Sequence, residues 1–204
     1  MLKTSVLVRQ VSTLHDARYC AGMGVAYISI PLVNAEKGNL SPDYIKEIGE
    51  WLSGIDILGD VGDNAPDDLA DYSLDGIETT DSNLVKKLTT GEKPVFLSIN
   101  ISPDELDSPA FRGLLEQLED TVESFICMAE GALEDFNREE IKSLNSTFKL
   151  FWGFTFTPEN VVEFIDDCKP KGVVLQGTKE IKTGLNDFEY LADILEALDT
   201  DEYI

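Results

Sequence analysis

Short apolar runs alternate with longer amphipathic stretches from one end of the chain to the other. The apolar runs are rich in β-branched residues, as strands buried on both faces usually are. The stretches between them carry apolar residues at helical spacing and open with helix start signals. Eight such units follow one another. Repeated strand–helix units of this kind predict a parallel sheet covered by helices.

The eight predicted strands are similar in length and spacing: Ser5 to Arg9, Ala26 to Ile30, Ile55 to Val61, Leu74 to Glu78, Val95 to Ile101, Ser124 to Met128, Lys149 to Phe154 and Gly172 to Gln176. Start signals predict helices after Ser12 or Thr13, at Ser41–Pro42, Pro66–Asp67–Asp68, Ser82, Ser108–Pro109, Asn137, Thr157–Pro158–Glu159 and Asn186–Asp187. Even spacing without a glycine-rich dinucleotide turn favours a closed (β/α)8 TIM barrel. A doubly wound open sheet is the alternative.

The chain has 204 residues and no linker or low-complexity segment, so we expect one barrel domain over residues 1–204. Its acidic tail, residues 199–204, is predicted to fray. No apolar run approaches the roughly 20 residues that cross a bilayer, and no signal-peptide core follows Met1, so a cytoplasmic protein is expected.

Acidic residues outnumber basic ones by 39 to 16, which gives a formal net charge of −23. Such a charge repels phosphate backbones and anionic headgroups, so neither nucleic acid nor membrane is an expected partner. The three cysteines have spacings that fit no disulfide framework or metal site and are interpreted as buried thiols. Asp60, Asp63 and Asn64 match no calcium loop. We therefore expect neither a metal nor a cofactor.

Arg9 is the most informative candidate, because it is a charged residue at the end of an apolar first strand. It must either pair with a carboxylate inside the barrel, such as Glu78 or Glu130, or recognise a ligand at the mouth. The planar fork of a guanidinium suits a small carboxylate ligand. The alternative use of Glu78 and Glu130 is as an acid/base pair. The only histidine, His15, is explained as a solvated residue of the first helix.

Five stretches of the chain resemble phosphoribosylanthranilate isomerases, a family of barrel enzymes of tryptophan biosynthesis. Typical family members contain KICGLTTLEDA, SPRYVSPE, GGLTPENV, GVDVSSGVE and PGVKD. The corresponding stretches here, in the same order and at nearly the same separations, are VRQVSTLHDA, EKGNLSPD, FTFTPENV, GVVLQGTKE and TGLND. The resemblance implies a barrel with its site on the loops that follow the strands.

The resemblance also implies an Amadori-type isomerisation, with a cysteine as general base and an aspartate as general acid. Arg9 stands at the cysteine position and Ala129 at the aspartate position. A permanently protonated arginine cannot act as a base. Glu130 is one residue from the acid position, and is a candidate catalytic residue if the loop bends there.

The family's phosphate-binding glycines are also altered. Loops seven and eight read Phe154–Thr155 and Gln176–Gly177–Thr178, and Glu130–Gly131–Ala132–Leu133 replaces a GGTG turn after strand six. In loop two, Gly38 occupies the position at which family members have a substrate-binding arginine, and Lys37 precedes it. The predicted mouth is acidic, with Asp60, Asp63, Glu78, Asp81 and Glu130 against Arg9, Lys37 and Lys179. Four aromatics, Phe151, Trp152, Phe154 and Phe156, are expected to fill the barrel where the pocket would lie.

Two functional hypotheses follow. The first is a non-catalytic isomerase-like barrel that acts as a small-molecule binding or interaction module. The second is an enzyme, either the family isomerase working through displaced residues such as Glu130 or a related sugar isomerase. The ligand-binding candidates are Arg9, Glu78, Asn100, Glu130, Gln176 and Gly177. The expected partner is a small carboxylate, and the expected assembly is a monomer or a homodimer.

Overall fold

The structure is a computed structural model that describes residues 1–33, 40–177, 179–182 and 185–200, with the backbone alone for residues 179–182 and 185–187. Eight parallel strands form a closed barrel in chain order: β1 Ser5–Arg9, β2 Tyr27–Pro31, β3 Asp56–Asp60, β4 Gly76–Thr79, β5 Val95–Ile101, β6 Ser124–Ala129, β7 Leu150–Gly153 and β8 Gly172–Gln176. β1 pairs with both β2 and β8, which closes the ring. The predicted TIM barrel is confirmed, and the open sheet is excluded.

The helices are α1 Leu14–Gly22, α2 Pro42–Glu50, α3 Ser82–Leu88, α4 Pro103–Leu106, α5 Pro109–Leu118, α6 Arg138–Thr147, α7 Pro158–Cys168 and α8 Glu189–Leu198. The predicted caps hold at several of them. Thr13, Ser41 and Ser108 each accept a backbone N–H of the first helical turn through the side chain. These contacts satisfy donors that a helix N-terminus leaves free, which explains why the local signals sufficed.

The helix predicted at Pro66 is absent, and a short 3₁₀ turn, Leu69–Asp71, stands in its place. In the link from this turn to β4, Leu74 packs against β3. A Cβ added at Gly59 would be 2.6 Å from a methyl carbon of Leu74, so Leu74 uses the space that the glycine leaves. Tyr72 is buried and donates its hydroxyl hydrogen to the carbonyl of Leu40. Leu74 therefore covers this part of β3 where no helix is present.

The start of the last helix also differs from prediction. Asn186 and Asp187, predicted as its cap, lie in a strand of a two-stranded antiparallel sheet, β9 Lys179–Lys182 with β10 Leu185–Asp187. Helix α8 begins after them, at Glu189. The helix-start rule failed here because Asn and Asp serve turns and hairpins as readily as helix caps.

Two hydrophobic layers follow from the alternation of side chains along the strands. One lies inside the barrel and consists of Leu7, Leu58, Phe96, Ile126, Phe151 and Val174, with Tyr27 and Met128 beside them. The other lies between the strands and the helices. Tyr27 contacts Phe96 and Phe151, with ring centroids 5.5 and 5.8 Å apart. These side chains therefore fill the interior of the barrel, as a barrel of this size requires.

The aromatic run around β7 only partly fills the barrel. Phe151 faces the interior, as predicted, but Trp152, Phe154 and Phe156 belong to the outer layer. Phe154 contacts Phe136 with centroids 5.1 Å apart. Trp152 must face outward because neighbouring residues of a strand point to opposite sides. The prediction that all four aromatics occupy the barrel is therefore wrong.

All three cysteines are free thiols and buried. Asp199 and Thr200, at the start of the predicted tail, contact Met1. Asp199 pairs with its α-amino group at 2.9 Å, and the Thr200 N–H donates to its carbonyl, also at 2.9 Å. The rest of the predicted tail, residues 201–204, lies outside the described residues.

Within the described part of the chain, no helix is long and apolar enough to cross a membrane.

Candidate functional site

A buried cluster of charged and polar side chains lies inside the barrel where the strands end. Arg9 is the last residue of β1, and Gln10 turns the chain away from the barrel with a left-handed φ of 60°. The Arg9 Nη2 atom is 2.7 Å from Glu78 Oε1 and 3.6 Å from Asp60 Oδ2. Asp60 and Glu78 are paired in register between β3 and β4. Parallel pairing thus presents two carboxylates to one guanidinium.

Ser29 completes the cluster from β2, where its hydroxyl donates a short hydrogen bond to Glu78 Oε2. Sequence reasoning missed Ser29. The available signal was a polar residue among apolar neighbours at an inward-facing position of β2. Asp60 accepts the Gly62 N–H at 2.9 Å, which holds its carboxylate against the loop that follows β3.

Glu78 is fully buried, and this burial has a large electrostatic effect. Removal of the carboxylate from water raises its pKa to about 7. The Arg9 charge opposes that rise, the nearby Asp60 charge adds to it, and the hydrogen bond from Ser29 and the close contact with Arg9 oppose it. Glu78 therefore keeps its proton to a higher pH than an exposed carboxyl does.

Two buried atoms of the cluster lack a hydrogen-bond partner among the described residues, namely Arg9 Nε and Glu78 Oε1. Glu78 Oε1 is close to Arg9 Nη2, but the contact is an ion pair without hydrogen-bond alignment. Buried groups that miss a hydrogen bond are rare and costly. The Arg9 side chain is 14% exposed, so a part of it remains accessible.

The other predicted ligand-binding residues surround this cluster less closely. Gln176, the last residue of β8, is exposed and pairs in register with Arg9. Asn100 is exposed near the end of β5, where it lines a cavity of about 270 Å³ together with Ser98 and Thr80. Of the predicted mouth lysines, Lys37 lies outside the described residues, and only the backbone of Lys179 is described.

Gly177 contacts the site through its backbone. Its N–H donates to the Arg9 carbonyl at 2.7 Å, so this N–H is already used within the barrel. A Cβ added at Gly177 would lie 2.7 Å from the same carbonyl oxygen. Only glycine fits this approach between the ends of β1 and β8.

We expect Gly177→Ala to lower the free energy of unfolding by about 1 to 3 kcal/mol, because the added methyl group forces the ends of β1 and β8 apart. Urea denaturation measures the loss. Gly113→Ala is the control, since a Cβ there meets nothing within 4 Å. Equal stability of the two variants would contradict the close approach.

The end of β6 carries no inward-facing carboxylate. Met128 faces the barrel interior, whereas Ala129 packs against the outer layer. Glu130 follows the strand and is exposed, and its N–H donates to the Ile101 carbonyl at 2.8 Å. The interior space at this end is partly taken by Met128, whose sulfur would lie 2.7 Å from a Cβ at Gly153. Position 129 therefore presents no carboxylate to the barrel interior, because it is an alanine and its side chain faces outward.

The described residues contain no group of three or more potential ligands that could hold a metal ion.

No family model and no curated protein matches the sequence. Solved structures do match. Phosphoribosylanthranilate isomerase from Thermotoga maritima is 18% identical, with 96% of this chain and 98% of that chain covered and a TM-score of 0.75. The isomerase from Pyrococcus furiosus is 13% identical, with the same coverage and a TM-score of 0.72.

A third match is a phosphoribosylanthranilate isomerase in complex with reduced 1-(o-carboxyphenylamino)-1-deoxyribulose 5-phosphate. It is 19% identical and covers 96% of this chain and 98% of that chain, with a TM-score of 0.70. Another match consists of monomers generated from the dimeric T. maritima isomerase. The chain therefore has the fold of the phosphoribosylanthranilate isomerases over almost its whole length.

Proposed function

We propose that this protein is a non-catalytic barrel of isomerase-like fold that binds a small carboxylate at its mouth. The observation that carries the proposal is Arg9, which stands in the barrel interior at the position where the resemblance expects a catalytic cysteine. Its guanidinium remains charged at any working pH, so it binds anions and abstracts no proton. Of its five N–H donors, only those on Nη2 face a carboxylate within 4 Å in the described structure.

The surroundings favour a carboxylate over a phosphorylated ligand. The Gly177 N–H, a candidate phosphate donor, is already bound to the Arg9 carbonyl. Asp60 and Glu78 lie against Arg9 and reduce its attraction for a doubly charged group. A carboxylate carries one charge and matches the planar fork of the guanidinium.

Thermal unfolding of the purified protein tests the proposal. The ligands are acetate, benzoate, anthranilate, inorganic phosphate and the reduced deoxyribulose phosphate found in the related complex. We expect a carboxylate to stabilise the protein, by about 2.7 kcal/mol at a hundredfold excess over Kd, and inorganic phosphate to give no shift. Isomerase assays should give no turnover of phosphoribosylanthranilate.

Arg9→Lys is the matched variant, because it keeps the positive charge and removes the planar fork. We expect it to lose most of the carboxylate shift. Turnover by the wild-type protein would overturn the proposal, and so would binding of inorganic phosphate in place of carboxylates.

One observation favours the second candidate, a diverged isomerase. Glu78 is a carboxyl inside the barrel with a pKa raised to about 7, the range in which general acid/base catalysis is efficient. On this alternative Glu78, and not the exposed Glu130, would transfer the proton. Glu78→Gln would then abolish turnover while Glu130→Gln retains it.

A further inference from the structure

The Arg9 cluster contains more negative charge than one guanidinium balances. Arg9 contributes one positive charge, and ionised Asp60 and Glu78 contribute two negative charges within 4 Å of it. A bound carboxylate would add a third negative charge to a site that is largely shielded from water. Like charges at such distances raise the proton affinity of the most buried group. That group is Glu78, which has no exposed surface.

Glu78 and a ligand also compete for the same donors. Arg9 Nη2 lies 2.7 Å from Glu78 Oε1, while the adjacent Nε has no acceptor among the described residues. A bidentate carboxylate uses two neighbouring N–H groups of a guanidinium. The ion pair with Glu78 involves only the Nη2 group and does not form this two-point contact.

We propose that Glu78 is a proton-operated latch on Arg9, so that protonation of Glu78 releases the guanidinium to bind a carboxylate and carboxylate binding draws a proton onto Glu78. This inference rests on the carboxylate binding proposed above. The buried geometry supplies the coupling, since the ligand and the ionised Glu78 cannot both be neutralised by one arginine. The raised pKa of Glu78 places the exchange near neutral pH.

The groups that face Glu78 from each neighbouring element permit this exchange. Asp60 of β3 stays beside Arg9 and remains bound to the Gly62 N–H, so the guanidinium keeps one counter-charge after Glu78 is neutralised. Ser29 of β2 offers a hydroxyl that can accept from a protonated Glu78 as well as donate to the ionised form. From β5, the partner in register is the apolar Phe96.

The sign of the pH dependence follows directly. Below about pH 7 Glu78 is already neutral, and a carboxylate binds without a proton being taken up. Above it, each binding event must also protonate Glu78, which weakens binding by up to tenfold per pH unit. Acetate and benzoate stay ionised throughout this range, so the ligand does not contribute to the dependence.

Isothermal titration calorimetry of the wild-type protein with benzoate, at about pH 6 and about pH 8.5, tests the latch. We expect Kd to be about 30-fold weaker at the higher pH. In buffers of different ionisation enthalpy, we expect uptake approaching one proton per bound benzoate at the higher pH and little at the lower. This measurement needs no variant and is unaffected by any folding defect.

Glu78→Gln should bind benzoate with nearly the same Kd at both pH values, close to the wild-type value at low pH. Asp63→Asn is the matched control, because it removes an exposed acidic residue from the loop that follows β3 and should keep the wild-type pH dependence.

His15→Gln tests whether the only histidine of the chain causes the pH dependence. His15 contacts Phe188 with ring centroids 5.3 Å apart, and this variant should also keep the wild-type pH dependence.

The possible failures are distinguishable. A wild-type Kd that does not change with pH, without proton uptake, would overturn the latch and leave carboxylate binding intact. A Glu78→Gln variant with the full wild-type pH dependence would also overturn it, because another group would then take the proton. Absence of benzoate and acetate binding in both proteins at both pH values would overturn the proposed function and the latch with it.

Discussion

Arg9→Met is expected to lower the free energy of unfolding by about 2 to 3 kcal/mol near pH 8.5 and by less than about 1 kcal/mol near pH 6. The variant leaves Glu78 buried without its nearest positive charge. Its pKa, already raised to about 7, then rises further, because the Arg9 charge no longer opposes desolvation. Urea denaturation at the two pH values measures the difference.

The pH dependence has a definite sign. The pKa of the Glu78 carboxyl is at its ordinary value of 4.5 in the unfolded chain and is raised to about 7 in the folded one. Between those values the folded state binds more protons at Glu78, so the contribution of this group to stability is greatest at low pH and falls as pH rises. Without Arg9 the fall continues to higher pH, by up to about 1.4 kcal/mol per pH unit.

The double variant Arg9→Met, Glu78→Leu serves as the control. It removes both charges and fills their volume with apolar groups, an exchange that is often neutral or stabilising. It should recover the stability near pH 8.5 and lose the extra pH dependence. Equal destabilisation by Arg9→Met at both pH values would show that packing, and not the charge of Glu78, explains the loss.

Phe151→Ala should destabilise the protein by about 3 to 5 kcal/mol, because it opens a cavity inside the barrel. Phe151 is completely buried and contacts Tyr27 from the facing side of the interior. Gly172 fits against it so closely that a Cβ there would lie 2.3 Å from the ring. A well-packed ring has few neighbours that can collapse into the space it leaves.

Urea denaturation with Trp51→Ala as the control checks this effect. That substitution removes a larger side chain, but one that is 63% exposed, and should cost less than about 1 kcal/mol. If the two variants were equally stable, Phe151 would not be a packed part of the barrel interior.

The barrel could be predicted because its units are local. Ser5–Arg9, Val95–Ile101 and Gly172–Gln176 are apolar runs whose length and residue types indicate buried strands, and the structure has them with the same bounds. The helix predicted at Pro66 failed because a start signal does not reveal how much chain is available before the next strand. The sequence also does not show that Leu74 packs against Gly59 and covers β3 in place of the missing helix.

The site was predicted less completely, because it depends on distances across the barrel. The sequence placed Arg9 at a strand end and left two roles open for it, recognition of a ligand or pairing with a carboxylate such as Glu78 or Glu130. Closure of the barrel brings β1, β3 and β4 within reach of one guanidinium, and this places Glu78 and Asp60 against Arg9. Ser29 carried a weak local signal, a polar residue among apolar neighbours of β2, but only the register of the barrel shows that it faces Glu78.

The three free cysteines are buried, so their reaction with a thiol reagent can be used to measure transient opening of the fold. Burial raises the thiol pKa of Cys20 to about 12 and that of Cys168 to about 11, with nearby Asp16 and Asp167 adding to the rise, and it also raises the pKa of Cys127. Almost no reactive thiolate exists in the closed fold. The labelling rate of these thiols therefore follows the transient opening of the layers around them. A cysteine introduced at the barrel mouth could carry a spectroscopic label without removal of the native three.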